Sequence, residues 1–246
     1  FATKLNEIYN RYSSARFNMT QVFIGSLDTD RIFSGIINPN RVFDRNNQSN
    51  QGYLNIRPDL YDGNAISKLK RIIAVQLTMP ATPVIYYGDE KGMWGADSPR
   101  NRKPMLWEEF IYDDEKNPSY INQNDVYPQE VDRDLFQWYK KLIRIRKENK
   151  VLVYGKFKEI MADNEKDVIV YERINDRHSI IVIINNSFYE QEIEFSTDYL
   201  DERFINLING NTFRSTSNGK IKLKLKPKEG KILRKGHKWE DWKKKK

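Results

Sequence analysis

Two places in the chain put carboxylates directly after short apolar runs. Gln21 to Gly25 leads into Ser26-Leu27-Asp28-Thr29-Asp30-Arg31, and Thr82 to Tyr87 leads into Gly88-Asp89-Glu90. Both runs have the length and the β-branched and aromatic content of buried strands. In α/β barrels and open sheets, catalytic groups sit on the loops that leave the C-terminal ends of strands, where Asp28 and the Asp89-Glu90 pair fall. Cysteine is absent, which excludes thiol nucleophiles, disulfide frameworks and Cys-based zinc sites, and His178 and His237 are the only histidines. The loop after the second run is long, is punctuated by Gly92, Gly95, Pro99 and Pro104, and carries Trp94, Asp97 and Arg102.

The elements that position these groups are read from apolar spacing. Leu5, Ile8, Tyr9 and Tyr12 form the stripe of an opening amphipathic helix. After a polar connection from Asn38 to Asn55, Ile66, Leu69, Ile72, Ile73 and Leu77 form a second stripe that Pro80 ends. A third helix begins near Val131, shows Leu135, Trp138, Tyr139, Leu142 and Ile143 on one face, and stops near Asn149. Beyond it the period becomes two, in Val168 and Val170, Ile181 and Ile183, Ile193 and Phe195, and Ile221, Leu223 and Leu225. Turn signals at Ile174-Asn175-Asp176, Asn209-Gly210 and Asn218-Gly219 separate these runs, as in an antiparallel sandwich of roughly eighty to ninety residues. The expected organisation is residues 1–150 as helix and strand in alternation, 151–235 as the β-sandwich, and 236–246 as a basic tail. Two evident strands are too few to close a sheet, so the first part reads as a piece of a larger α/β structure.

Of the 246 residues, 39% are apolar and 31% charged, a composition that can bury a core. The longest apolar stretches, Val151 to Tyr154 and Ile180 to Ile184, are strand-sized, and no run is long enough to span a membrane. The net charge of +8 is concentrated late, in Lys220 to Lys228 and Lys243 to Lys246, and reads as solvated surface rather than a nucleic-acid site. With Phe at position 1, the chain is expected to be a processed, cleaved or trimmed product, and its compartment is not read.

The strings SLDTDRI and QLTMPATPVIYYGDEKGMWGADSPRNRKPMLW resemble the α-amylase family (glycoside hydrolase family 13), and within it the cyclomaltodextrinases, neopullulanases and maltogenic amylases. The resemblance implies an α/β plus all-β architecture: the last two βα units of a (β/α)8 barrel, strands 7 and 8 with flanking helices, followed by the C-terminal β-sandwich. It implies a retaining α-glucan hydrolase acting on α-1,4-glucosidic bonds of starch-derived oligosaccharides. Asp28 matches the carboxylate that stabilises the transition state, where an oxocarbenium-like sugar develops positive charge. Arg102, Asp97, Arg31 and Trp94 match or adjoin substrate-binding positions, although an Arg placed as Arg31 is more often structural, pairing Asp30 or a neighbouring carboxylate, and a loop Trp such as Trp94 is as suited to plugging the core as to stacking on a sugar, while Asp89 and Glu90 read as scaffold. The pattern departs at Leu27, where the family usually has a His that bonds a sugar hydroxyl, and at Ser98, which stands before Pro99 where the family has Asp.

The family's nucleophile and acid/base lie on earlier strands, and retention needs two carboxylates about 5 Å apart. The chain alone is therefore expected to be inert, its site completed by an N-terminal barrel half in cis or in trans. The alternative is a degenerate, non-catalytic amylase-like module that binds carbohydrate or a protein. No cofactor is evident. Calcium, where that family has it, is held mainly by upstream segments, and no metal site is readable here. The partners expected are an α-glucan oligosaccharide and the barrel half, with neither nucleic acid nor membrane.

Overall fold

The structure, a computed structural model, describes residues 7–9, 11–12, 16–17, 19–37, 63–95, 100–116, 126–127 and 129–236. Leu5, the connection from Asn38 to Asn55, Asp97, Ser98, Pro99 and the tail from residue 237 lie outside them. In chain order the elements are β1 (Gln21–Phe23), α1 (Ile32–Ile37), α2 (Gly63–Thr78), β2 (Thr82–Val84), β3 (Glu115–Lys116), β4 (Val126–Tyr127), α3 (Arg133–Glu148) and α4 (Val151–Tyr154). Eight strands follow: β5 (Lys156–Asp163), β6 (Val168–Ile174), β7 (Ser179–Asn185), β8 (Gln191–Ser196), β9 (Arg203–Asn206), β10 (Thr212–Arg214), β11 (Lys220–Leu225) and β12 (Gly230–Lys235). The chain divides into two compact units, one of Phe1–Thr20, Leu77–Thr82 and Ile143–Lys246 and one of Gln21–Gln76 and Pro83–Leu142.

In the second unit β1 and β2 form a two-stranded sheet. The Gln76 amide donates to the carbonyls of Val22 (3.1 Å) and Val84 (2.8 Å), so a buried polar side chain ties both strand backbones together. On α2 the fully buried line is Ala65, Leu69 and Ile73, with Ile66 and Ile72 half-buried beside it. Leu135, Tyr139 and Leu142 make the equivalent line on α3, whose start is capped by Asp132 accepting the Leu135 N–H at 2.8 Å. A short β3–β4 pair adds strands that the apolar spacing did not announce.

The first unit is built on a six-stranded antiparallel sheet in the order β10-β9-β12-β7-β6-β5, with β11 and β8 paired separately. Val170, Ile181, Ile183, Phe204 and Leu233 from the larger sheet and Ile193, Phe195, Ile221, Leu223 and Leu225 from the smaller fill one core. Every residue of β7 is buried, because the alternate set on the larger sheet, Tyr171, Arg173, Ile180, Val182 and Ile232, is covered as well. Phe157 and Tyr9 pack beside Tyr171 on that side, the ring centroids 5.3 Å apart for Phe157–Tyr171 and 5.4 Å for Tyr9–Phe157. Val151 to Tyr154, strand-sized by length, is the helical turn α4; its Val151 and Leu152 are buried and the Val151 carbonyl accepts the Gly155 N–H at 2.9 Å.

Two arginines are buried on this covered face. Arg146 donates to the carbonyls of Leu77 (2.9 Å), Met79 (3.0 Å) and Ala81 (2.6 Å). Arg173 donates to those of Thr78 (2.7 Å), Leu152 (2.8 Å) and Gly155 (2.8 Å). Leu77 and Thr78 end α2, so part of this charge is neutralised by carbonyls at a helix C-terminus rather than by a carboxylate. Burial, with the like charge of Arg146 nearby, pulls Arg173 down to about 10.

The basic run from Lys220 is no open cationic surface. On the outer side of β11 and β8, Lys220 pairs with Glu194 (2.7 Å), Lys222 with Glu192 and Lys224 with Glu190 (3.5 Å). The opposite sides of the same strands hold Ile221, Leu223 and Leu225 in the core. Lys228 lies over the Phe188 ring and donates to the Asn186 carbonyl.

Candidate active site

The loop after β1 folds on its own hydroxyls. Ser26 N–H donates to Thr29 Oγ1 (3.1 Å) and Asp28 N–H to Ser26 Oγ (3.2 Å), which closes a tight turn. From beneath, the wholly buried Asn101 donates its amide to the carbonyls of Ser26 (3.1 Å), Leu27 (2.9 Å) and Thr29 (2.7 Å). The turn thereby presents Leu27 and Asp28 outward, with 75% of the Asp28 side chain exposed. Arg102 donates from Nε to the Leu27 carbonyl (3.1 Å) and from Nη2 to Asp28 Oδ1 (3.3 Å). The structure thus brings Asp28 and Arg102, 74 residues apart in sequence, to one edge.

Arg31 and Trp94 are both buried, in keeping with the structural alternative that the sequence offered for each beside a contact with sugar. Arg31 has no exposed surface. It donates to Asp89 Oδ1 (3.0 Å) and to the carbonyls of Tyr87 (2.7 Å) and Asn101 (2.9 Å), and it lies against the rings of Tyr86 and Tyr87. It joins the loops after β1 and β2, because a guanidinium can span several acceptors at once. Trp94 is 8% exposed, with the Lys103 ammonium 3.4 Å from its ring centroid. Burial pulls Lys103 down to about 8 although Glu115 accepts from it at 2.6 Å. Asp97 lies outside the described residues. Asn101 was missed by the sequence reading; a single Asn beside Arg102 carries no periodic or motif signal of its own.

Asp89 is the scaffold's buried carboxylate. It opens a single helical turn bounded by Gly88 at φ 84° and Gly92 at φ 78°. A Cβ on Gly88 would run into the Met93 side chain, and one on Gly25 would lie 2.8 Å from Asp89 Oδ2, so the loops approach as closely as glycine permits. Burial pushes Asp89 up to about 7 against the pull of Arg31. Because the folded state holds a proton that the unfolded chain releases near pH 4, the stabilising contribution of this group is full below that pH and falls as pH rises towards 7. Chemical unfolding at pH 5 and pH 8 should show lower stability at pH 8, and Asp89→Asn should flatten the difference. Equal slopes in both proteins would refute this assignment.

Among the described residues, no group of three or more His, Asp or Glu side chains is placed to hold a metal ion. No helix among them is long and apolar enough to cross a membrane.

Residues 59–155 match the family model for the α-amylase catalytic domain, and residues 157–232 match that for the maltogenic amylase C-terminal domain. A cyclomaltodextrinase of Geobacillus thermopakistaniensis is 30% identical over 61% of this chain and 22% of its own length. A maltogenic α-amylase of Bacillus acidopullulyticus is 34% identical over 70% of this chain and 26% of its own length. The chain thus spans about a quarter of such relatives. The solved α-amylase of Geobacillus thermoleovorans, complexed with acarbose, superposes with a TM-score of 0.70 at 18% identity, covering 95% of this chain and 43% of that one, which shows the fold. An Anoxybacillus α-amylase gives the same TM-score over 42% of its length. With the SLDTDRI and TPVIYYGDE strings on the loops described, the chain belongs to the α-amylase family, as a cyclomaltodextrinase-like catalytic-domain portion that holds the last two βα units and is followed by the C-terminal β-sandwich.

Proposed function

We propose that the chain is part of a retaining hydrolase of α-1,4-glucosidic bonds in starch-derived oligosaccharides, with Asp28 as transition-state stabiliser and Arg102 as a sugar-binding residue. The nucleophile and acid/base come from an N-terminal barrel half, in cis or in trans, and this chain alone is inert. One observation carries the reading: an exposed carboxylate at the tip of a turn locked by Asn101, beside Arg102. A fixed carboxylate strengthens its contacts as positive charge develops on the sugar, and the locked turn avoids reorganisation at that moment. The names of the relatives, cyclomaltodextrinase and maltogenic α-amylase, support the substrate class.

The test is release of reducing sugar from maltoheptaose and β-cyclodextrin. The chain alone should release none. Co-expressed with a barrel half bearing the missing carboxylates it should become active, and Asp28→Asn should then lower kcat about a hundredfold, since the charge goes and the shape stays. Turnover unaffected by Asp28→Asn would sink the assignment.

A second reading, a non-catalytic carbohydrate-binding module, is favoured by Leu27. It is 51% exposed beside Asp28 and offers no hydrogen bond where the family usually has His. Saturable binding without cleavage in the complemented protein would select it.

A further inference from the structure

In the first unit the end of α3, the β6–β7 turn and the last residues of β12 enclose a hollow of about 240 Å³. Sites for drug-sized molecules begin at roughly 300 Å³, so this one fits a compact ion or one small charged group. Its charge is one-sided. Lys150, Arg177, Arg234 and Lys235 stand against a single carboxylate, Glu148. Among the described residues none of these four cations is paired with a carboxylate, whereas the lysines of β11 are each answered by a glutamate. Asp176 and Asp198 line the adjoining, larger hollow, and Asp198 already accepts from Lys158 at 2.7 Å.

Arg234 gives the strongest indication of an occupant. Its Nε is buried without an acceptor, and its Nη1 reaches only the neutral Asn149 Oδ1, at 3.4 Å. A guanidinium donor withdrawn from water and left unmatched is unfavourable, and an anion in the hollow would supply the missing acceptor. The surrounding groups are held in place. Arg234 is set by the pairing of β12, opposite Ile180 of β7 and Ile205 of β9. Asn149 is fixed through its Nδ2, which donates to the Ile145 carbonyl at 2.7 Å. Asn175 Oδ1 accepts the N–H groups of Arg177 (3.0 Å) and His178 (2.8 Å), which fixes the turn that carries Arg177. Two guanidinium groups on different elements suit an ion with several oxygens better than a spherical halide, because each planar fork can take a pair of oxygens. A phosphate monoester offers three strong acceptor oxygens and a charge of about −1.5 to −2 at neutral pH.

We propose that this hollow binds a phosphate group, as inorganic phosphate or as the monoester of a small molecule, with Arg177 and Arg234 as the forks and Lys150 and Lys235 as flanking charges. The experiment is calorimetric titration of the full chain, in phosphate-free buffer at low ionic strength, with inorganic phosphate and with glycerol 3-phosphate. Saturable binding is expected; a tighter monoester would identify the ester as the ligand, and equal or tighter inorganic phosphate the free ion. Arg177→Ala, a change at an exposed side chain, should weaken binding about tenfold, and Arg177→Glu should abolish it. Lys222→Ala removes one charge from β11, outside the hollow, and should leave the affinity within about twofold. Phosphate should also raise the Tm of the parent chain and not that of Arg177→Glu. No saturation with either probe, equal losses in Arg177→Ala and Lys222→Ala, or displacement by chloride at equal concentration would each overturn the proposal. Binding would then follow the net charge of +8 rather than the hollow.

Discussion

Arg31→Met should lower the unfolding free energy of the protein by about 3–5 kcal/mol, the range expected when a buried ion pair is broken from one side. Methionine occupies much of the same volume but carries no donor. The substitution strands the Asp89 carboxylate and leaves the carbonyls of Tyr87 and Asn101 without the guanidinium that joins them. Urea unfolding followed by tryptophan fluorescence reads this directly, because Trp94 and Trp138 both lie in the affected unit. The defect should deepen with pH. Without Arg31 the folded state favours the protonated acid even more, and the unfolded chain gains in relative stability as protons are withdrawn. Arg31→Met combined with Asp89→Leu should recover part of the loss, since the unpaired charge goes with it. A single-mutant loss below about 1 kcal/mol, the scale of an exposed pair, would refute the joining role.

Arg173→Met should be comparably severe, at about 4 kcal/mol, for a different reason. No carboxylate is stranded; three buried carbonyls, those of Thr78, Leu152 and Gly155, lose their donor, each at a cost of about 1–3 kcal/mol, partly offset by relief of the repulsion from Arg146. Arg173→Lys should recover little, because an ammonium cannot span the fork that reaches all three. The exposed Arg177→Met is the control and should stay within about 0.5 kcal/mol. Equal stability of the Arg173 and Arg177 variants in thermal unfolding would contradict the account.

What was legible in the sequence follows from range. Helices α2 and α3 and strands β6, β7, β8 and β11 announce themselves because burial of one face or both imposes a local period. Strands β5, β9, β10 and β12 did not, since β9 and β10 are only four and three residues long, β5 has an irregular register between Glu159 and Met161, and the alternation of β12 is broken by Lys231, which is buried and paired with Glu229. At the candidate site, Asp28 and Arg102 were legible through the family strings. Their contact was not, and neither was Asn101, whose work is to bond three carbonyls more than 70 residues away. Arg146 and Arg173 share that illegibility, for a cation in an amphipathic pattern reads as surface until the acceptors around it are known, whereas a carboxylate partner for Arg31 was foreseen and only its identity, Asp89, was not.

The ladder of lysines and glutamates on β8 and β11 fixes strand alignment only in part. Slippage by one residue would turn Ile221, Leu223 and Leu225 to water and drive three ammonium groups into the core, an error that burial alone forbids. Slippage by two residues keeps the apolar side inward, so burial cannot detect it. Nor can the charges detect it, because each pair is diagonal, Lys222 lying opposite Glu194 yet pairing with Glu192, and a two-residue slip would set the same three pairs directly opposite. The two alignments differ instead at the end of the strand pair, where the Thr197 N–H donates to the Gly219 carbonyl at 2.8 Å, a bond worth about 0.5–1.5 kcal/mol that a slip would break.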